Sequence, residues 1–229
     1  MKIYRTTCAV IAALALLQCS DDDGGDNGTP TGPGATPTMG FFVTSTTSAT
    51  GNLGGLTGAD ARCRTLATSA GFGNKTWRAY LSVERDASNG NRPADARNRI
   101  GSGPWYNAKG ALVASNITEL HARKGDATVF VDEKGQPIAG QWAGSPRPVE
   151  HDILTGSSAD GTLMAGATCN DWTSESADHV GQVGHSDGLG PNASAEGALS
   201  SWNSSHANQN CANTAPRGGA GRIYCFAAN

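Results

Sequence analysis

The run Thr57-Gly58-Ala59-Asp60-Ala61-Arg62-Cys63-Arg64-Thr65-Leu66-Ala67-Thr68-Ser69-Ala70-Gly71 reads as a capped helix. Thr57 stands where an N-cap belongs, Asp60 sits three residues on, and Gly71 is placed to end it. Ala59, Cys63, Leu66, Ala67 and Ala70 fall on one face at i, i+4, i+7, i+8 and i+11, so Cys63 points inward. Outward from the helix, three β-rich segments alternate or nearly alternate: Gly40 to Thr44, Trp77 to Ser82, and Arg222 to Phe226. The last of them carries Cys225. A bridge from Cys63 to Cys225 would pin the first helix to the last strand.

Residues 1–18 are similar to a bacterial lipoprotein signal peptide. Lys2 and Arg5 form a charged start, Cys8 to Leu17 is apolar, and Leu16-Leu17-Gln18-Cys19 closes the segment. That apolar run is too short to span a bilayer as a helix, which takes about 20 residues. Cys19 is then the acylated residue, carrying palmitate-type chains that anchor the chain to a membrane. Gln18 departs from the small residue usual before such a cysteine, which leaves ordinary secretion as the alternative. Residues 19–39, rich in Asp, Gly, Thr and Pro, read as a flexible linker, and 40–229 as one domain. The expected location is the cell envelope, at the outer membrane.

The chain has 31 glycines among 229 residues and only 16% charged residues, so long ordered loops are expected rather than long helices. Seventeen basic against 20 acidic residues give −3 overall, which excludes a nucleic-acid binder driven by bulk positive charge. Residues 62–134 hold 12 basic and 7 acidic residues, and 135–229 hold 3 and 8. With Cys8 removed and Cys19 acylated, Cys63, Cys169, Cys211 and Cys225 remain. An even number in an exported chain points to disulfides, with three possible connectivities. The nearest spacing among the four is 14 residues, unlike the close pairs of a zinc-cysteine site.

Gly58 to Cys63, Ala70-Gly71-Phe72 and Thr76-Trp77-Arg78-Ala79-Tyr80-Leu81-Ser82 together resemble the opening of endostatin, a domain of C-type-lectin-like fold. Thr155 to Gly161, Cys169-Asn170-Asp171-Trp172-Thr173, Cys211 and Ile223-Tyr224-Cys225-Phe226 continue the likeness in order. Phe42 to Ser45 and Gly51 to Leu56 bring it close to endostatin-like bacterial surface lipoproteins. The resemblance implies an α+β, C-type-lectin-like fold of mixed antiparallel strands, few short helices and long loops. It also implies nested bridges, Cys63–Cys225 and Cys169–Cys211. Functionally it implies a non-catalytic, adhesin-like domain that binds an extracellular macromolecule or polysaccharide, with no cofactor and no nucleic acid. A structural envelope lipoprotein is the alternative.

Several residue groups bear on chemistry. Arg85, Arg92, Arg97 and Arg99 form a candidate patch for acidic polysaccharide, although Glu84, Asp86 and Asp95 are interleaved and could pair with them. Trp142 and Trp202, in polar surroundings, are candidate exposed stacking platforms. Gly184-His185-Ser186-Asp187-Gly188 matches the nucleophile pattern of serine hydrolases, with Glu196 and His206 downstream, but Leu189-Gly190-Pro191-Asn192 starts no helix, so a polar loop is expected. Asp178, His179, His185, Asp187 and His206 could make a metal set, yet the expectation is solvated loop residues and no metal.

Overall fold

A computed structural model describes residues 38–228; the expected signal peptide, Cys8, Cys19 and all but the end of the linker lie outside them. The linker's last residue, Met39, is 1% exposed and packs in the core.

Ten strands and three α-helices are present among the described residues, joined by long loops and 3₁₀ turns. In chain order they are β1 (Phe41–Val43), α1 (Gly55–Ser69), β2 (Trp77–Ala79), β3 (Val83–Asp86), β4 (Arg92–Ala94), β5 (Trp105–Tyr106), β6 (Leu112–Ala114), α2 (Ile117–Ala122), β7 (Asp152–Leu154), α3 (Cys169–Trp172), β8 (Gln182–His185), β9 (His206–Ala207) and β10 (Gly219–Ala227). The main sheet runs β1-β10-β7-β8-β9, with β2 also paired to β10; β3-β4 and β5-β6 are separate two-stranded sheets. This is a mixed α/β fold with few helices and several small sheets.

The nine residues of β10 organise it. Phe41, Phe42 and Val43 pair antiparallel with Phe226, Cys225 and Tyr224. Because strand side chains alternate in direction, β10 sends its residues to two sides. Ile223, Cys225 and Ala227 join Phe42, Ala59, Cys63, Ala67 and Trp77 in one apolar cluster. Tyr224 and Phe226 join Phe41, Tyr80, Trp105, Phe130 and Trp202 in the other. A sheet covered on both faces needs apolar residues at every position, which is why β1 reads Phe-Phe-Val without a polar break. Each large side chain so buried contributes about 1.5–3 kcal/mol.

Both nested bridges are formed. Cys63 joins Cys225 across 162 residues of sequence, and Cys169 joins Cys211 across 42. Cys63 lies on the buried face of α1 with Ala59 and Ala67. Gly51 lies so close to the second bridge that any Cβ there would strike Cys169 Sγ, hence glycine.

The start of α1 differs from its sequence reading. The helix begins at Gly55, with Gly54 left-handed at the cap, and Thr57 makes no capping bond. Gly54 is held instead by Asn52 Oδ1, which accepts its N–H at 3.1 Å. Asp60, freed from a capping role, is 7% exposed; it accepts the Ala79 N–H at 2.8 Å and bonds to Arg78 at 2.7 Å and Arg99 at 2.9 Å. The carboxylate therefore ties α1 to β2. Gly71 sits just past the helix end at φ +88°, the left-handed position that a helix stop favours.

Candidate functional site

The edge of the main sheet gathers three of the chain's five histidines. In the β7–β8 ladder Asp152 lies opposite His185, and in the β8–β9 ladder Val183 lies opposite His206. His151 precedes Asp152 at the mouth of β7. Gly184 lets β8 lie directly on the next segment, because a Cβ there would run into the Trp202 carbonyl. Register and close backbone contact thus bring 151–152, 185 and 206 to one place.

At that place the side chains of His151, Asp152 and His185 are 4%, 1% and 2% exposed, while His206 is 30% exposed and opens to solvent. Their outward nitrogens are fixed. His151 Nδ1 lies 2.7 Å from Asp187 Oδ1, His185 Nδ1 lies 2.9 Å from the Leu199 carbonyl, and His206 Nδ1 lies 2.9 Å from the Ala207 carbonyl. All three partners are acceptors only, so each Nδ1 carries a proton and each Nε2 is the nitrogen left facing the cluster, where those of His185 and His206 lie 3.0 Å apart. His151 and His185 stack at 4.3 Å with planes 10° apart, and His206 meets His185 edge-on.

The Nε2 atoms of His151 and His185 both lie 3.3 Å from Asp152 Oδ1, and His206 Nε2 lies 3.6 Å from Oδ2. These are approaches without hydrogen-bond geometry: neither Asp152 oxygen accepts a hydrogen bond. Asp187 is well supplied by contrast. Burial works to raise its carboxyl, but the His151 hydrogen bond and charge, with the N–H groups of Gln141 and Leu189, hold it below the usual carboxylate range. Above the cluster lies a cleft of about 370 Å³ walled by Gln141, Pro191, Leu199 and Arg217. Arg217 is exposed and makes no ion pair among the described residues.

Of the metal set considered from sequence, the structure brings His185, Asp187 and His206 together and leaves Asp178 and His179 outside, both exposed. The expectation of solvated loops fails for His185 and Asp187, which are 1% and 5% exposed. Sequence reasoning missed His151 and Asp152. Their signal was a His-Asp pair opening the apolar Ile153-Leu154, polar residues at the start of a buried strand.

The arginines do not form one surface. Arg85 bonds to Asp171 at 3.2 Å and to Asn170 at 3.1 Å, Arg97 donates to the Asp160 carbonyl, and Arg99 is committed to Asp60. Arg92 alone of the four is exposed without an ion pair among the described residues. The interleaved acids serve elsewhere: Glu84 accepts from Gly166, Asp86 from Ser88, and Asp95 from Leu163. Trp202 is fully buried, its Nε1 donating to the Leu120 carbonyl, so it is core and not a platform. Trp142 is half-buried and donates to the Ile138 carbonyl.

Ser186 is 1% exposed, and its hydroxyl bonds to no histidine. Glu196 is exposed, His206 faces His185 and Asp152, and the chain after Asp187 enters a 3₁₀ turn at Pro191–Ala193 rather than an α-helix. A strand–nucleophile–helix elbow is not formed. A fluorophosphonate probe is therefore expected to leave the native chain unlabelled; stoichiometric labelling at Ser186 by mass spectrometry would contradict this geometry.

Residues 46–189, more than half of the chain, match the model of a family described as protein of unknown function (DUF1554). The chain belongs to the DUF1554 family. The match ties it to neither endostatin-like nor C-type-lectin-like families. A search of curated proteins finds no match. Within this DUF1554 chain the matched span holds Cys63, Cys169, His151, Asp152, His185 and Asp187, and stops short of His206, Cys211 and Cys225. No helix among the described residues is long and apolar enough to cross a membrane.

Proposed function

We propose that this DUF1554 protein is a cell-envelope lipoprotein, anchored through Cys19, whose domain has an endostatin-like, C-type-lectin-like architecture and binds an extracellular macromolecule or glycan without catalysis. The cleft at the β7–β8–β9 edge is the binding site. What carries this reading is its construction: an opening of about 370 Å³ set in loops, beside which stand the Gln141 side chain and the exposed Arg217 guanidinium, which donates to the Ala207 carbonyl and makes no ion pair among the described residues. A flat fork of donors of this kind suits carboxylate or sulfate groups, which acidic polysaccharides and matrix proteins present. Two disulfides in the fold fit an oxidising compartment outside the cytoplasm.

The test is a glycan and matrix-protein array probed with the full oxidised chain, its reduced form and an Arg217→Ala variant. The oxidised chain should retain a ligand that the reduced form loses. Arg217→Ala should bind it about tenfold more weakly, the scale expected for truncating an interface arginine. Retention by the reduced chain, or indifference to Arg217→Ala, removes the cleft from this role.

A further inference from the structure

The floor of the cleft turns three imidazole nitrogens and a carboxylate toward one another. With every Nδ1 bonded outward, His151, His185 and His206 turn their Nε2 atoms toward a carboxylate that accepts no hydrogen bond. His185 and His206 also place their Nε2 atoms 3.0 Å apart. In water such a cluster would be tolerable. The Asp152 carboxylate is 1% exposed, and a buried charge is stable only when a counter-charge meets it.

We propose that this cluster binds a transition-metal ion of the zinc class through Nε2 of His151, His185 and His206 and the carboxylate of Asp152. Zinc holds nitrogen and oxygen donors at about 2.0–2.1 Å, and tetrahedral geometry then separates neighbouring donors by about 3.3 Å. Four of the six separations among these donors run 3.0, 3.3, 3.3 and 3.6 Å, measured to Asp152 Oδ1 from His151 and His185 and to Oδ2 from His206, and the tight core is His151, Asp152 and His185, whose ligand atoms all lie within 4.8 Å of one another. Three imidazoles to one carboxylate suit zinc and its neighbours, whereas calcium and magnesium take oxygen donors. The outer partners follow the same logic: Asp187 on His151 and carbonyls on the other two rings fix the tautomer and aim of each ligand. His151, Asp152 and His185 form the core of the site, and His206, at its open side, takes the fourth tetrahedral position. Zinc enters by way of His206, the exposed member.

This inference rests on the donor set alone and stands whether or not the cleft above takes a glycan. The experiment titrates zinc chloride into the untagged, full-length, oxidised chain after chelator dialysis, by calorimetry, with calcium chloride as a parallel arm. Cobalt(II) serves as a spectroscopic reporter. One equivalent of zinc should bind, calcium should not compete, and cobalt should give the intense visible bands of tetrahedral coordination. Asp187→Asn should weaken zinc by roughly 10–100-fold, the usual effect of removing a supporting partner, and Asp152→Asn or His206→Ala by more than about 100-fold. His206→Ala removes a side chain that is partly exposed, so it tests the site without emptying the core. His179→Ala, outside the cluster and bonded to Ser174, should bind zinc as the parent does. Absence of zinc binding by the folded parent, or undiminished binding in both His206→Ala and Asp152→Asn, overturns the proposal.

Discussion

Replacing Cys63 and Cys225 by serine is expected to lower stability by about 5 kcal/mol, because the bridge closes a loop of 162 residues and the chain-entropy cost of that closure then returns to folding. In a domain of this size each kcal/mol moves the midpoint by roughly 2–4 °C, so a fall of about 10–20 °C is the expected outcome of thermal unfolding followed by circular dichroism. The effect has a second source. Both sulfurs are fully buried among Phe42, Ala59, Ala67 and Trp77, and two serine hydroxyls there would lack partners. The Cys169→Ser, Cys211→Ser pair closes 42 residues and should cost less, about 4 kcal/mol on the same model. A midpoint for the Cys63→Ser, Cys225→Ser variant within 2–3 °C of the parent, or a larger loss for the short loop, would show that loop length does not govern the staples.

The nested pairing came only with the endostatin-like resemblance, whereas the elements that the long bridge joins were open to sequence reasoning. Cys63 could be placed inward from the spacing of Ala59, Leu66 and Ala67, and the first and last strands from their alternation, because helix and strand periods are local properties. The long bridge holds α1 to β10, and β10 pairs in turn with Phe41 to Val43, a register the sequence does not state. The glycine at the helix start was less legible. Thr57 looked like a cap by type, but Asp60 is drawn into a pair of arginines from elsewhere in the chain, and no local pattern announces that.

The histidine cluster was legible only in part for a related reason. His185, Asp187 and His206 share one Gly/Ser-rich region, and proximity in sequence suggested them. His151 and Asp152 lie more than thirty residues upstream, and only the β7–β8 register sets Asp152 opposite His185. Composition misled at Trp202 as well. Its neighbours Ser201, Asn203 and Ser204 look like surface, yet they are polar because they bond within the fold, Asn203 to Tyr80 and Ser201 to Asn203. A glycine-rich, loop-built domain satisfies its backbone with such side chains, so polarity there does not signal exposure.

The same cluster makes the Asp152→Asn variant, in chelator, more stable than the parent. Asparagine keeps the shape of the side chain and removes the buried charge; its amide also offers two N–H donors to nitrogen lone pairs that have none. Replacing buried ionic groups by neutral ones of similar volume can stabilise by about 1–4 kcal/mol, so the midpoint should rise by roughly 2–16 °C without metal. Saturating zinc should reverse the order. An ion bound at a thousand times its dissociation constant adds about 4 kcal/mol to the parent, and the variant, having lost a ligand, gains little. The two midpoints measured with zinc and with chelator therefore cross. Were the cluster held instead by protons, with one or more rings charged against Asp152, the substitution would break buried ion pairs and destabilise the chain in both conditions, and no crossing would be seen.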